Sequence, residues 1–311
     1  MQKKLSITSS PHLRSSATTR RIMQDVCIAL APAGIAGIIL FGADAAKLIA
    51  VSVICCVLVE YLYQKLTGQK CTVGDWSAVV TGLLLAYNLP AGAPLWIPVV
   101  GSVIAILLVK QIFGGLGSNF MNPALTARAV LFVSWSSIMS QYPVTRYMTD
   151  VTTSATPLAQ LGSGTSVSLL DLLLGNCAGV LGETCKLAIL AGGLYLIVRQ
   201  VIDWKIPVCI LGTCFVCFLL KDGFQPALGQ ILAGGLMLGA FFMATDYVTT
   251  PVSNLGRVIM GVLCGAMIFV IRAFANYPEG TSFAILFMNV LTPMIDRFTV
   301  PGQFGEVKKH G

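Results

Sequence analysis

Histidine and charged side chains are scarce in this sequence, and each scarcity argues against a class of protein. Only two histidines occur among the 311 residues, His12 and His310, and both lie close to a chain end. A haem or a histidine-based metal site inside the protein is therefore not expected. Charged residues make up 11% of the chain, whereas soluble domains carry about 25%. The composition thus argues against a soluble globular fold.

Signatures of nucleotide and nucleic-acid binding are also missing. The sequence contains no P-loop, no Gly-x-Gly-x-x-Gly segment that opens a helix after a strand, and no spacing typical of a catalytic triad. The net charge is +7, but no basic patch is interleaved with aromatic residues, so nucleic acid is not a predicted partner. The positive charge fits sorting of Lys and Arg across a membrane instead.

Apolar residues are the most abundant class in the sequence. They make up 56% of the chain, and the mean hydropathy is +0.82. Because one membrane-spanning helix needs about 20 apolar residues, we predict an all-α polytopic membrane protein with about ten transmembrane helices. No long polar segment separates them, so residues 1–311 are expected to form a single integral membrane domain. The predicted spans are 22–41, 45–63, 75–90, 95–113, 121–139, 185–202, 206–220, 227–245, 257–275 and 281–296.

The distribution of Lys and Arg predicts the orientation of these spans. Five positive charges precede the first span, which favours a cytoplasmic N-terminal tail over residues 1–21. Ten spans then return the tail 297–311 to the cytoplasm, and the polar region 140–184 becomes external. With this topology fifteen of the 20 Lys and Arg residues are inside and five are outside. Cys177 and Cys185 both lie in or near the external region. The sequence does not decide whether they form a disulfide.

Two polar stretches interrupt the helical pattern, at Gly114–Ala124 and Thr245–Asn254. Broken helices occur at membrane depth only where they are buried in protein or line a cavity. Residues 81–86 also resemble residues 234–239, which indicates two five-helix repeats of inverted topology. Such paired breaks are typical of inverted-repeat secondary transporters, and a transporter without a cofactor is therefore one interpretation.

A threonine-rich segment, Asp150–Ala159, lies between the two halves. Pro157 is expected to stop any helix and to hold the preceding residues extended, which would present the Thr156 hydroxyl as an exposed, flexible acceptor. On its residues alone, the segment fits an ordinary Ser/Thr-rich connection as well.

Several motifs together resemble one family. Thr153–Thr156 looks like the acceptor motif of bacterial flavin transferases, with Ser154 where glycine is usual. Residues 10–23, 114–124, 239–253 and 272–297 resemble the D subunits of Rnf complexes, which couple electron transfer between ferredoxin and NAD+ to the movement of Na+ or H+. The B subunit of the Na+-pumping NADH:quinone reductase is a second, homologous candidate. It usually has a longer N-terminal extension than the approximately 21 residues before the first span here.

The resemblance implies a function as an electron-transfer subunit of an ion-translocating oxidoreductase in the bacterial cell membrane. It implies FMN joined to Thr156 through its phosphate, on the external side, and a second, non-covalent flavin such as riboflavin. The implied partners are the other subunits of the complex, including a second FMN-bearing subunit, a flavin transferase for maturation, and membrane lipid. Ferredoxin and NAD+ would bind elsewhere in the complex.

Asn119 and Asn122 are candidates for this second flavin site. Their i, i+3 spacing would place both amides on one helix face, although Asn119 is equally a plausible helix N-cap. Asp246 is a candidate because ionisable groups near the membrane interior are costly and usually functional; a carboxylate at a helix end is the alternative. Arg128 would either pair with Asp246, lie near an anionic cofactor, or extend to the membrane surface.

Overall fold

The computed structural model describes residues 17–145, 156–162, 167–275 and 280–300. Over these residues the regular structure is helical, and the one extended pairing is an isolated bridge between Pro90 and Val180. Asp150 and residues 151–155 of the threonine-rich segment lie outside the described residues. All ten cysteines are free thiols, so Cys177 and Cys185 are not joined by a disulfide.

The helices alternate between long continuous segments and short interrupted ones. A 3₁₀ turn at Val73–Asp75 precedes α3, while π-helical segments at Ile104–Gln111 and Gly239–Met243 continue α4 and α12. The helices are α1 (Thr19–Phe41), α2 (Ala43–Leu66), α3 (Ser77–Tyr87), α4 (Trp96–Val103), α5 (Pro123–Ser134), α6 (Ser136–Met139), α7 (Pro157–Gly162), α8 (Leu169–Leu174), α9 (Lys186–Val198), α10 (Lys205–Asp222), α11 (Phe224–Leu232), α12 (Leu236–Leu238), α13 (Asn254–Phe274) and α14 (Thr281–Thr299).

The all-helical, multi-pass membrane fold is confirmed, while the count of ten spans stays a prediction. Among the described helices, α1, α2 and α13 are long and apolar enough to cross a membrane alone, and α11 with Leu236–Met243 forms a fourth candidate if the bent pair is one span. Four further apolar helices are shorter. The inverted five-helix repeat also stays a prediction.

The predicted span at 227–245 is not one continuous helix, because the helix breaks at Ala233–Gly235. The two pieces meet at an angle of 65°. Gly234 has a φ of +64°, a left-handed conformation that glycine adopts without steric cost. The predicted span at 121–139 is also interrupted, at Trp135, where φ is −132° and ψ is 53°. The region predicted as an external loop, 140–184, contains the short helices α7 and α8.

Two cationic side chains hold the broken ends of α11 and α12. The last carbonyls of a helix have no partner within it, and here Arg272 donates from Nη1 to Gln230 O (2.5 Å) and from Nη2 to Ala233 O (3.3 Å). Lys186 donates from Nζ to Gly234 O at 2.6 Å. The break therefore lies inside the protein, with its backbone oxygens satisfied by charged donors.

Glycines let the helices approach closely, as is common between membrane helices. A Cβ built on Gly192 in α9 would lie 2.0 Å from the carbonyl oxygen of Ala29 in α1. A Cβ built on Gly265 in α13 would lie 2.7 Å from the carbonyl oxygen of Ile210 in α10. The first contact joins the N-terminal and C-terminal halves of the chain backbone to backbone.

We expect Gly192→Ala to lower the free energy of unfolding by about 1–3 kcal/mol, because the added methyl group forces α1 and α9 apart. Gly212→Ala in α10 is the matched control, since no atom lies within 4 Å of its added Cβ. Thermal unfolding of both purified variants in the same detergent makes the comparison. Equal melting temperatures would contradict the close packing described here.

Candidate functional site

Thr156 directly precedes α7, whose first residue is Pro157. Its Oγ1 accepts a hydrogen bond from the Ala159 amide (3.4 Å), and its carbonyl accepts one from the Gln160 amide (3.0 Å). The expectation that Pro157 stops a helix is wrong, because proline is well suited to the first helical position. The side chain is also not freely exposed, since Thr156 is 9% accessible to solvent.

A small pocket lies beside Thr156 and connects it to the break between α11 and α12. Its polar lining includes Thr156, Glu183, Thr184 and Lys186. Gly234, which lies in the break, also lines the pocket. Leu158 holds α7 in place by packing with Leu172 of α8 and with Ala233. The predicted acceptor hydroxyl is thus placed next to a buried lysine and a buried glutamate.

Arg128 lies deeper in the bundle, and its partner is Glu183. Its Nη2 is 3.4 Å from Glu183 Oε1, and its Nη1 donates to Asn88 Oδ1 (2.7 Å) and Ser282 Oγ (3.1 Å). The side chain is 7% exposed. The alternatives in which Arg128 pairs with Asp246 or extends to the membrane surface are therefore wrong, because buried acceptors surround the guanidinium where it stands.

Asn119, Asn122 and Asp246 come together at a second, larger cavity. Asn119 Nδ2 is 3.5 Å from Asp246 Oδ2, and Asn122 Nδ2 donates to the carbonyl of Met243 at 3.2 Å. The expected shared helix face is wrong, because α5 begins only at Pro123. Asn122, not Asn119, is the N-cap: its Oδ1 accepts from the amides of residues 124 and 125.

The cavity beside these residues is lined mostly by apolar side chains, with a few polar ones among them. It contains about 800 Å³ of space free of protein atoms, its open mouth included. The apolar lining includes Ile22, Val80, Leu84, Phe241 and Phe242, and the polar lining includes Asn119, Thr245, Asp246, Ser77 and Lys110. Cavities that are mostly apolar, with a few placed polar groups, are typical sites for small organic ligands.

Helix α9 fixes the separation of the two sites. Its first residue, Lys186, lines the Thr156 pocket, whereas Leu196, near its other end, lines the larger cavity. Ten residues of α-helix span about 15 Å. The two sites therefore lie near opposite ends of α9.

The family model described as "NQR2, RnfD, RnfE family" matches residues 6–305. The chain belongs to this family.

Curated relatives of this NQR2, RnfD, RnfE family member match it over nearly the full length. The D subunit of the Na(+)-translocating ferredoxin:NAD(+) oxidoreductase complex of Acetobacterium woodii is 50% identical, with 98% of this chain and 96% of the relative covered. The D subunit of the proton-translocating complex of Clostridium ljungdahlii is 40% identical, with 96% of both covered. The D subunit of the ion-translocating oxidoreductase complex of Escherichia coli (strain SMS-3-5) is 35% identical, with 97% and 99% covered.

The structure of this family member also contains a buried ion pair that the sequence motifs do not point to. Lys110 Nζ lies 2.9 Å from both carboxylate oxygens of Glu60 and donates to Ser77 Oγ at 2.6 Å. Gln111 donates to the same carboxylate at 2.9 Å. The Lys110 and Glu60 side chains are 3% and 0% exposed. Since Lys110 and Ser77 also line the larger cavity, this pair fixes one of its walls.

Sequence reasoning missed Glu60, Glu183, Lys186 and Asn88 as members of the sites. The available signal was the presence of an ionisable residue within or beside an apolar run, because such residues are rare and usually paired. That signal marks Glu60 in the predicted span 45–63 and Lys110 in 95–113. It does not reveal their pairing, which depends on the packing of α2 against the π-helical end of α4.

Proposed function

We propose that this chain is the D subunit of an ion-translocating ferredoxin:NAD+ oxidoreductase complex, and that it carries electrons on two flavins. One is FMN, joined by a phosphoester to Thr156; the other is a non-covalent flavin such as riboflavin in the cavity beside Asn119 and Asp246. Family membership and 50% identity over 98% of the chain support the complex. The observation that carries the electron-transfer role is the presence of two separate sites about 15 Å apart along α9.

The larger cavity fits a flavin ring by the chemistry of its lining. Phe241, Phe242 and the aliphatic side chains offer a flat apolar contact, while Asn119 and Asp246 offer polar groups to a ligand. Asn122 has a different task, because its amide is already committed to capping α5 and to Met243. It shapes the cavity and holds the segment that bears Asn119 against the segment that bears Asp246.

The Thr156 pocket does not enclose a flavin, so the chain's contribution there is attachment and surroundings. The cavity volume is about 10 Å³, about the space that one water molecule needs, so a tethered ring would extend outward from α7. A bound flavin supplies the redox chemistry, and the protein supplies position and electrostatics. Thr156 fixes one end of the group, and Lys186 and Glu183 set the charge beside it.

The proposed orientation places Thr156 outside and both termini in the cytoplasm, within one integral membrane domain over 1–311. Other subunits of the complex, one of them with its own FMN, would exchange electrons with these flavins. A flavin transferase would attach the FMN, and lipid would cover the apolar faces. The relatives named above differ in their ion, Na+ in one and H+ in another, so family membership leaves the coupling ion open.

Two alternative functions have less support from the comparisons and the structure. The B subunit of a Na+-pumping NADH:quinone reductase belongs to the homologous group, but the curated relatives named above are D subunits covered over at least 96% of their length. A secondary transporter would use unwound carbonyls to coordinate its ion. In this chain the carbonyls of Gln230, Ala233 and Gly234 already accept from Arg272 and Lys186.

Acid precipitation of the purified complex tests the proposed function. We expect one flavin to remain with the precipitated chain and another to be released into the supernatant, because the first is covalent and the second is held by contacts alone. A pellet and a supernatant that both lack flavin, from a complex matured with an active flavin transferase, would reject the electron-carrier role and favour the transporter.

We expect Asn119→Leu to weaken the non-covalent flavin about tenfold or more and to leave the covalent flavin in place. The physical reason is that a polar group buried against the ligand loses its partner, which costs about 1–3 kcal/mol. The measurement is the flavin content of the acid supernatant across a titration with riboflavin. Asn254→Leu is the control, because Asn254 bonds Lys205 outside the cavity. Equal riboflavin binding by both variants would contradict this site.

A further inference from the structure

The larger cavity, beside Asn119 and Asp246, is smaller than the ligand proposed for it. Its volume is about 100 Å³ when the gaps between wall atoms and the open solvent at its mouth are left out. Pockets for small organic ligands measure roughly 300–1,000 Å³. Since the chemistry of the lining fits a flavin ring, one wall of the cavity has to move when such a ligand enters.

Most walls of this cavity are held in place. Helices α1, α3 and α9 and the π-helical segment Gly239–Met243 contribute side chains from regular structure. Two of the lining loops are joined to each other, the one after α9 and the one before α13, because the Tyr247 hydroxyl donates a hydrogen bond to the carbonyl of Val201. These walls are therefore poor candidates for the part that moves.

The remaining lining loop, residues 114–118, is here called the glycine loop, and its tip is not fastened. Leu116 lies at the tip and lines the cavity. Within the described part of the chain, neither Leu116 nor Gly117 forms a hydrogen bond. A Cβ built on Gly115 or on Gly117 would meet no atom within 4 Å. The middle of the loop thus has open space around it.

The ends of the glycine loop are fixed, while its middle can turn. The rings of Phe113 and Phe120 pack against each other with their centroids 4.8 Å apart, which joins the two ends. Between them, Gly115 and Gly117 have φ values of +91° and +93°. Glycine occupies positive and negative φ about equally well, so Leu116, which stands between these two glycines, can change its position at little steric cost.

Leu116 also lies at the mouth of the cavity. Among the side chains that line the cavity, those of Leu116 and Tyr247 are the exposed ones, with 41% and 54% of their residues accessible. Tyr247 is held by its bond to Val201, whereas Leu116 is held by apolar contact alone. The two sides of the mouth therefore differ, one fixed and one free to move.

We propose that the glycine loop is a lid, and that the non-covalent flavin enters the larger cavity when Leu116 swings outward. This inference rests on the proposed function, because it concerns the same flavin. The structure shows the closed form, in which Leu116 takes up part of the space that the ligand needs. The fixed side of the mouth, Tyr247 with Val201, keeps the entrance at one place.

A closed form that does not bind has a measurable consequence. The apparent affinity is reduced by the fraction of the protein that is open. Variants that favour opening should therefore bind riboflavin more tightly, although they add no contact to it. Leu116→Ala removes the side chain that occupies the cavity. Gly117→Ala places a Cβ in the left-handed conformation, which is unfavourable for residues other than glycine, and so disfavours the closed form.

The test is the rate of riboflavin association and dissociation, followed by flavin fluorescence on the purified complex depleted of its non-covalent flavin. We expect Gly117→Ala to speed association and to lower the apparent Kd about fivefold or more. Leu116→Ala should change both quantities in the same direction. Gly68→Ala is the matched control, because Gly68 also has a left-handed φ, +68°, and open space around its Cβ, but lies outside the cavity lining.

The opposite result separates a lid from an ordinary contact. If Leu116 only packs against the flavin, Leu116→Ala weakens binding through faster dissociation, and the inference is overturned. Rates equal to those of the native complex in both variants overturn it as well. In these cases the flavin that acid releases from the native complex still supports the proposed function. A native complex that releases no flavin, together with variants that bind no riboflavin, would instead reject the proposed second flavin, and the lid with it.

Discussion

We expect Thr156→Ala to abolish the covalent attachment of flavin without unfolding the protein. The substitution removes the only atom at this position that can form a phosphoester. Its structural cost is small, because Oγ1 makes one helix-capping bond, to the Ala159 amide, and loss of an N-cap costs about 1 kcal/mol. Intact mass of the chain, purified after co-expression with a flavin transferase, should lack the increment of one FMN less one water.

Two matched variants make this result specific. Thr156→Ser retains a hydroxyl at the same place and should retain flavin, at least in part. Thr184→Ala removes a second threonine that lines the same pocket and should leave the modification unchanged. If Thr156→Ala carried the full FMN mass, the attachment site would have to lie elsewhere, most plainly in residues 150–155.

The burial of Thr156 adds a requirement on the order of events. Only 9% of the residue is accessible, and α7 is held by Leu158 and by Leu161, whose side chain lies against Gly229. In this arrangement most of the residue is shielded from a transferase. Attachment is therefore expected while α7 is undocked, before the segment packs onto α8 and α11.

Lys110→Met is expected to lower the free energy of unfolding by about 3–5 kcal/mol, the largest stability effect that the structure predicts. The substitution leaves the Glu60 carboxylate, which is 0% exposed, without its cation. Gln111 and Gln64 still donate to it, but neutral donors do not compensate a buried charge fully. The measurement is thermal or denaturant unfolding of the purified chain.

A double variant separates the charge from the packing. Lys110→Met combined with Glu60→Gln removes both charges and should recover much of the lost stability, because a buried ion pair contributes little beyond what neutral groups of similar shape provide. Lys47→Met breaks an exposed pair, with side chains 62% and 74% accessible, and should cost at most about 1 kcal/mol. A double variant as unstable as Lys110→Met would show that the lysine contributes by packing.

Much of the helix pattern can be predicted because apolar runs and their polar ends are local features. The predicted span 206–220 corresponds to α10 at Lys205–Asp222, and 281–296 to α14 at Thr281–Thr299. The break inside 227–245 does not follow from the sequence, since Gly234–Gly235 in an apolar run is compatible with a membrane helix. It exists because Arg272 and Lys186, from two distant helices, satisfy the freed carbonyls.

The candidate sites show the same limit. Asn119 and Asn122 lie in one polar break of the sequence, and Asp246 lies in another. The structure brings all three to one cavity. The prediction that Asn119 and Asn122 share a helix face fails, because α5 begins only at Pro123. Arg128 stands out as a cation in an apolar run, but its partner Glu183 lies 55 residues later in a region without periodicity. Pairings between distant segments depend on tertiary packing, which a single sequence does not display.

The backbone contact between Gly192 and Ala29 has a mechanical consequence. Alternating-access proteins move one half of the molecule against the other, and such rocking needs an interface that slides. Here the two halves meet at a glycine with no side chain between the backbones, on the same helix, α9, that spans the distance between the two proposed flavins. In the proposed function, this close contact would hold the two flavins at a constant separation, on which the rate of electron tunnelling between them depends.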